Sequence, residues 1–149
     1  MPRTAPRSVL FACNLNTIRS PIAAGLLMRR GGGRIHAESC GVWPGGRADP
    51  FMIEVMREKD VDLAHHEPRT FEQLGAANFD LIVAFTEDSF NAAKVFARTL
   101  SSDVEHWPVG DPSEGGEGRA AKLQAYREAR DAIDALIREG IEGRSTAGP

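Results

Sequence analysis

Short apolar runs alternating with segments of helical period are what most constrain the fold of this chain. Four stretches read as strands: Ser8 to Ala12, Arg34 to Cys40, Asp80 to Phe85 and Asp103 to Trp107. Helical segments fall between and after them. Pro21 to Arg30 follows the first strand and ends at the Gly31 to Gly33 run, with Arg29 and Arg30 at its negative end. Asp49-Pro50 caps a second helix running to about Lys59, and Thr70 with Gln73 forms a capping box for a short third. A fourth runs from about Asp88 to Arg98. The last, Arg119 to Glu139, carries an apolar stripe of Leu123, Tyr126, Ala129, Ile133, Leu136 and Ile137, with Gly140 as its expected C-cap. Strands separated by helices pair in parallel, so the pattern predicts a doubly wound α/β fold. Its four-stranded, mostly parallel sheet lies between two helical layers. At 149 residues, without repeat or linker, the chain reads as a single domain with its core over about 8–140 and flexible tails at 1–7 and 141–149.

Ligands in such sheets bind beyond the carboxyl ends of the strands. The loop after the first strand, Cys13-Asn14-Leu15-Asn16-Thr17-Ile18-Arg19-Ser20, is the richest in chemistry. Ser20 suits an N-cap and Pro21 a first helical position, so a helix is expected to start there. A loop entering a helix N-terminus turns successive backbone N–H groups inward and makes an anion nest. Cys13 at its base would be favoured as a thiolate by the same field. Arg19 offers a planar fork for two oxygens of a tetrahedral oxyanion. Asn16 tolerates the positive φ that a tight nest requires, and the Ser20 hydroxyl is within reach of the thiolate.

A nucleophile of this kind needs a proton donor for the leaving group. Asp111-Pro112 follows the fourth strand at the same sheet edge. A residue before proline is held extended, which aims its carboxyl away from its own backbone. As an acid it would protonate the departing atom, and as a carboxylate it would activate water against a covalent intermediate.

The segment "VLFACNLNTIRSPIA" resembles the phosphate-binding loop C-x5-R-S-P of the low-molecular-weight protein-tyrosine phosphatase superfamily, which also includes thioredoxin-coupled arsenate reductases. The likeness continues through "AESCGVW", "DLIVAFTED" and "HWPVGDP" to the last helix. It implies a phosphotyrosine phosphatase I-like fold. It also implies that Cys13 is the nucleophile, Arg19 and the amides of Asn14, Leu15, Asn16, Thr17 and Ile18 the phosphate cradle, Ser20 the hydroxyl that stabilises the thiolate, and Asp111 the general acid and base. Asn16 matches the residue that holds the cradle's shape, with Ser39 and His66 as its polar supports.

The chain departs from the family pattern at several places. Leu15 stands where the family has Gly, at a position where strained backbone is expected. Ile18 replaces a second loop Cys that protects the nucleophile by a disulfide. Phe85-Thr86 replaces Met-Asp, and Ser113-Glu114-Gly115-Gly116 replaces the aromatic residues that wall the phosphotyrosine pocket. Trp43 remains as a candidate pocket wall, with a core position equally open. "FTEDSFNAAKVF" lacks the two resolving cysteines of a thioredoxin-coupled reductase, and Cys40 reads as a buried strand residue.

The remaining features point to no other chemistry. Adjacent His65 and His66 cannot serve one metal as i,i+4 spacing can, so no metal or other cofactor is expected. Eighteen Lys+Arg against 21 Asp+Glu, net charge −3, argues against nucleic-acid or membrane partners. The longest apolar runs fall far short of the ~18 residues of a membrane span, and the Val9 to Ala12 run is too short for a signal sequence. With two cysteines and no leader, a reducing cytoplasm is the expected location. The expected function is a phosphomonoesterase acting through phosphocysteine on phosphorylated protein or small aryl phosphates, with phosphate, sulfate or arsenate as recognised oxyanions. An arsenate reductase using an external thiol, or a regulatory oxyanion-binding module, stands as the alternative.

Overall fold

A computed structural model of the protein describes residues 4–75 and 77–144. Four strands, β1 (Ser8–Cys13), β2 (His36–Gly41), β3 (Leu81–Ala84) and β4 (Asp103–His106), form one sheet in the order β2-β1-β3-β4. Every pairing is parallel, with Ala12 opposite Cys40 on one side and Ala84 on the other. The chain winds outward from β1 to β2 and then crosses back to β3. The carboxyl end of β1 therefore lies at the switch point where an open α/β sheet leaves a crevice.

Helices cover both faces. On one pack α1 (Arg19–Gly31), α2 (Pro50–Arg57) and α5 (Gly118–Ile137). Val9, Phe11, Leu27, Met52, Met56, Val83 and Ile133 form the main core here, all buried. On the other lie α3 (Phe71–Leu74) and α4 (Glu87–Phe96), over a smaller core of Leu10, Ala12, Cys40, Phe79, Ile82 and Ala93. Alternate residues of each strand serve opposite faces, so Cys13 and Cys40, on neighbouring strands, belong to different cores.

The predicted caps of α2 and α3 are present. Asp49 Oδ1 accepts from Phe51 N at 2.8 Å and Met52 N at 3.2 Å, and Thr70 with Gln73 closes a reciprocal capping box. Three expectations are corrected. Helix α1 begins at Arg19, two residues before Pro21, and Ser20 does not cap it, because its hydroxyl is committed to the loop thiol. Gly140 is not a C-cap: it lies in a wide final turn, Arg138–Glu142, where a Cβ would come within 2.5 Å of the Trp107 ring. The body also runs past residue 140. Ile141 extends the apolar stripe and is buried, Glu142 pairs with Arg30 at 2.6 Å, and Arg144 pairs with Glu105 at 2.6 Å. At the other end Arg7 joins the sheet edge, donating its N–H to Asp80 Oδ2 at 2.7 Å. The outermost parts of the expected tails, 1–3 and 145–149, lie outside the described residues. Among the described residues no helix is long and apolar enough to cross a membrane.

Candidate active site

The loop from Cys13 to Arg19 leaves β1 at the switch point and turns directly into α1. Its tightest point is Asn16, with φ of +60°. Leu15 keeps an ordinary negative φ, so the strain expected there falls on the following residue, whose amide side chain tolerates it. The Leu15 side chain is free to point out of the loop and is 43% exposed.

Asn16 is fully buried and organises the loop from within. Its Nδ2 donates to Ser20 Oγ at 2.8 Å, its Oδ1 accepts from Arg69 N at 3.0 Å, and its carbonyl accepts from His66 Nε2 at 2.8 Å. Burial holds the His66 pKa below the usual range, so the neutral ring with its proton on Nε2 is the donor. Ser20 Oγ lies 2.9 Å from Cys13 Sγ and also contacts the Cys40 carbonyl at 3.3 Å. Asn16, Ser20, His66 and Cys13 are thus brought together. Ser39 acts through its backbone: its carbonyl accepts from Arg69 Nε at 3.1 Å, and Arg69 in turn holds Asn16.

Cys13 is only 2% exposed. Among the described residues, no protein carbonyl accepts from the amides of Asn14 to Ile18, which leaves them for a ligand of the loop. Arg19 is buried along most of its length and donates from Nη1 to the Val109 carbonyl at 2.9 Å. That bond ties the loop to the segment bearing Asp111. Asp111 itself is extended, with ψ of 113°, as a residue before proline should be. Its Oδ1 accepts from Ser113 N at 2.9 Å and Ser113 Oγ at 2.7 Å, which fixes the carboxyl beside the loop.

Residues of the loop and of the Asp111 segment line one cleft of about 360 Å³, with Cys13 not among its lining residues. Asn14, Thr17, Ile18 and Arg19 contribute the loop side, Asp111 and Ser113 the facing side, and Leu15 and Trp43 the rim. Trp43 is 48% exposed, so it is not a core residue. The Cys40 side chain takes no part: it is fully buried on the other face of the sheet, and burial pushes its thiol pKa far up. Among the described residues no group of three or more His, Cys, Asp or Glu side chains could hold a metal ion.

Several contributors carried no recognisable sequence signal. Asp49 was legible only as a cap, yet it also lines the cleft. Its N–H donates to the Thr17 carbonyl at 3.2 Å, and its Oδ2 accepts from Tyr126 OH at 2.9 Å. Thr86, at the position that departs from Met-Asp, donates from Oγ1 to Asn14 Oδ1 at 2.7 Å. Gly41 and Gly45 let the segment after β2 cross the loop closely: a Cβ on Gly45 would fall 2.2 Å from the Leu15 carbonyl oxygen. The glycines of "GVWPGG", Gly41 and Gly45 among them, are a signal of close approach that could have been read.

Residues 8–142 match the family described as low molecular weight phosphotyrosine protein phosphatase. The chain is similar to a protein-arginine-phosphatase of Bacillus subtilis, with 32% identity over 146 residues covering 88% of this chain and 92% of that one. It is also similar to a glutaredoxin arsenate reductase of Synechocystis sp., 25% identical, covering 85% of this chain and 90% of that one. Among solved structures, an arsenate reductase in the phosphate-binding state superposes with a TM-score of 0.76 at 24% identity, over 93% of this chain and 99% of that one. That last likeness speaks for the fold.

Proposed function

The chain belongs to the low molecular weight phosphotyrosine protein phosphatase family, and from that premise we propose that it is a cysteine-dependent phosphatase of phosphorylated protein side chains. The observation that carries this reading is the 2.9 Å contact between Cys13 Sγ and Ser20 Oγ, at the root of a loop that shares one cleft with Arg19 and Asp111. In this mechanism the Cys13 thiolate attacks phosphorus, forming an S–P bond as the bond to the leaving group breaks. The amides of Asn14 to Arg19 and the Arg19 guanidinium hold the equatorial oxygens as charge builds on them. Asp111 protonates the leaving atom. Its carboxylate then takes a proton from water, which attacks the phosphocysteine and releases phosphate and the thiolate.

The Trp43 rim and the Leu15 side chain suit an aryl phosphate such as phosphotyrosine. A second substrate reading, phosphoarginine, is favoured by two carboxylates, Asp49 and Asp111, lining the same cleft, where a guanidinium leaving group would need them. The Bacillus subtilis relative carries that activity in its name. Arsenate reduction is the third reading, supported by the Synechocystis relative. With Cys40 buried on the opposite face, an arseno-adduct on Cys13 would depend on an external thiol.

Hydrolysis of p-nitrophenyl phosphate, phosphotyrosyl peptide and phosphoarginyl peptide under reducing conditions tests the proposal, with the wild type beside Cys13→Ser. Vanadate-sensitive turnover that the variant loses by at least ~10³-fold is expected, the scale at which removing a catalytic nucleophile acts. A variant that keeps appreciable activity would remove Cys13 from its role. Thiol-dependent release of arsenite without phosphate hydrolysis would select the reductase.

A further inference from the structure

Beyond the cleft, the segment bearing Asp111 borders a second concavity, of about 570 Å³, between Pro108 to Pro112 and the outer face of α5. Asp111 lines both. Resting on the phosphatase reading above, we infer that this groove receives the polypeptide flanking the phosphorylated residue of a protein substrate, and that it selects an apolar side chain followed by a basic one.

Three observations support this occupant. The groove and the cleft share Asp111, the residue assigned to the leaving group, so the two concavities adjoin at that residue. Its floor is apolar and stiff: Pro108 and Pro112 on one side, Ala129, Ala132 and Leu136 on the other. A preformed wall of this kind takes up an apolar side chain without ordering cost of its own. Its rim is acidic and uncommitted. Glu128 and Glu139 have no cationic partner among the described residues, and Glu128 accepts only from the Gln124 amide at 3.2 Å. The cations of α5 are already engaged: Arg119 with Glu54, Arg127 and Arg130 with Glu58, and Lys122 with the Ser113 carbonyl. A basic side chain of the substrate would find two free carboxylates there.

The test compares two peptides with the same phosphorylated residue, of whichever kind the enzyme turns over. One is flanked by Leu and Lys on both sides, the other by Ser and Glu. The wild type is expected to favour the first by at least about tenfold in kcat/KM, which corresponds to about 1.4 kcal/mol. Glu128→Gln/Glu139→Gln should remove the Lys contribution and Ala132→Trp, which fills the groove, the Leu contribution. Both should leave p-nitrophenyl phosphate hydrolysis within about twofold of wild type, since neither touches the cleft. Equal kcat/KM for the two peptides, or full preference retained in both variants, would overturn the groove's role while leaving the phosphatase intact. Absence of aryl and peptide phosphate turnover in the wild type would overturn both together.

Discussion

Ser20 and Asn16 show what one hydroxyl and one amide do when a loop must hold an anion and a thiol at once. A Ser20 that capped α1 would serve a backbone N–H that water can serve equally well. Turned inward, it sits between Cys13 Sγ and Asn16 Nδ2, a position that water reaches only with difficulty in a buried network. A hydrogen bond to a charged group contributes about 1.5–3 kcal/mol. Ser20→Ala should therefore lower kcat by ~10–100-fold with little change in KM and slow the alkylation of Cys13 by iodoacetate in parallel. Unchanged alkylation would mean that the hydroxyl does not touch the reactive form of the thiol. Cys13, Arg19 and Asp111 could be named from the sequence because each stands in a short local pattern, C-x5-R-S-P after a strand or Asp-Pro after another. Arg69, Asp49 and Thr86 were not, because their work depends on partners far off in the chain: Arg69 meets Asn16 across 53 positions and Thr86 meets Asn14 across 72.

Among the elements, short-range chemistry decided the caps. Asp49-Pro50 and Thr70 with Gln73 fold as they read, since donor and acceptor lie within three residues of each other. Gly140 misled for the opposite reason. Its lack of a side chain serves the indole of Trp107, which packs on the final turn from β4 and donates Nε1–H to Glu105 Oε1 at 3.0 Å. No local pattern announces that contact. Gly140→Ala should overpack the site and cost about 1–3 kcal/mol of stability, read by urea unfolding and by a change in Trp107 emission. A neutral or stabilising substitution would instead indicate an open turn whose glycine had only an entropic cost.

For the whole molecule, the parallel order β2-β1-β3-β4 puts the loop after β1 in the central crevice, and distant side chains then fasten the covering helices together. Glu58, just past α2, takes hydrogen bonds from Arg127 and Arg130 of α5, which hold its carboxyl pKa down at about 2. A carboxyl depressed on folding contributes stability above its ordinary value of 4.5 and loses it as the pH falls toward about 2. Glu58→Gln should accordingly lower the neutral plateau of a stability-versus-pH curve and flatten its acid limb between about pH 4.5 and 2. An unaltered acid limb would show the pair to be screened away by solvent.

On the proposed reading, all of these layers serve one chemical event, transfer of a phosphoryl group to Cys13. The measurement that addresses it most directly is rapid quenching of Asp111→Asn with p-nitrophenyl phosphate, followed by mass spectrometry of the peptide that carries Cys13. A good leaving group needs no acid, so the thiolate is still phosphorylated, whereas water without its base attacks the phosphocysteine slowly and the intermediate accumulates. The account predicts a phosphoryl increment on Cys13 that forms before steady state and is absent from Cys13→Ala/Asp111→Asn. A burst of p-nitrophenol with the phosphoryl group elsewhere, or turnover by the double variant, would contradict it.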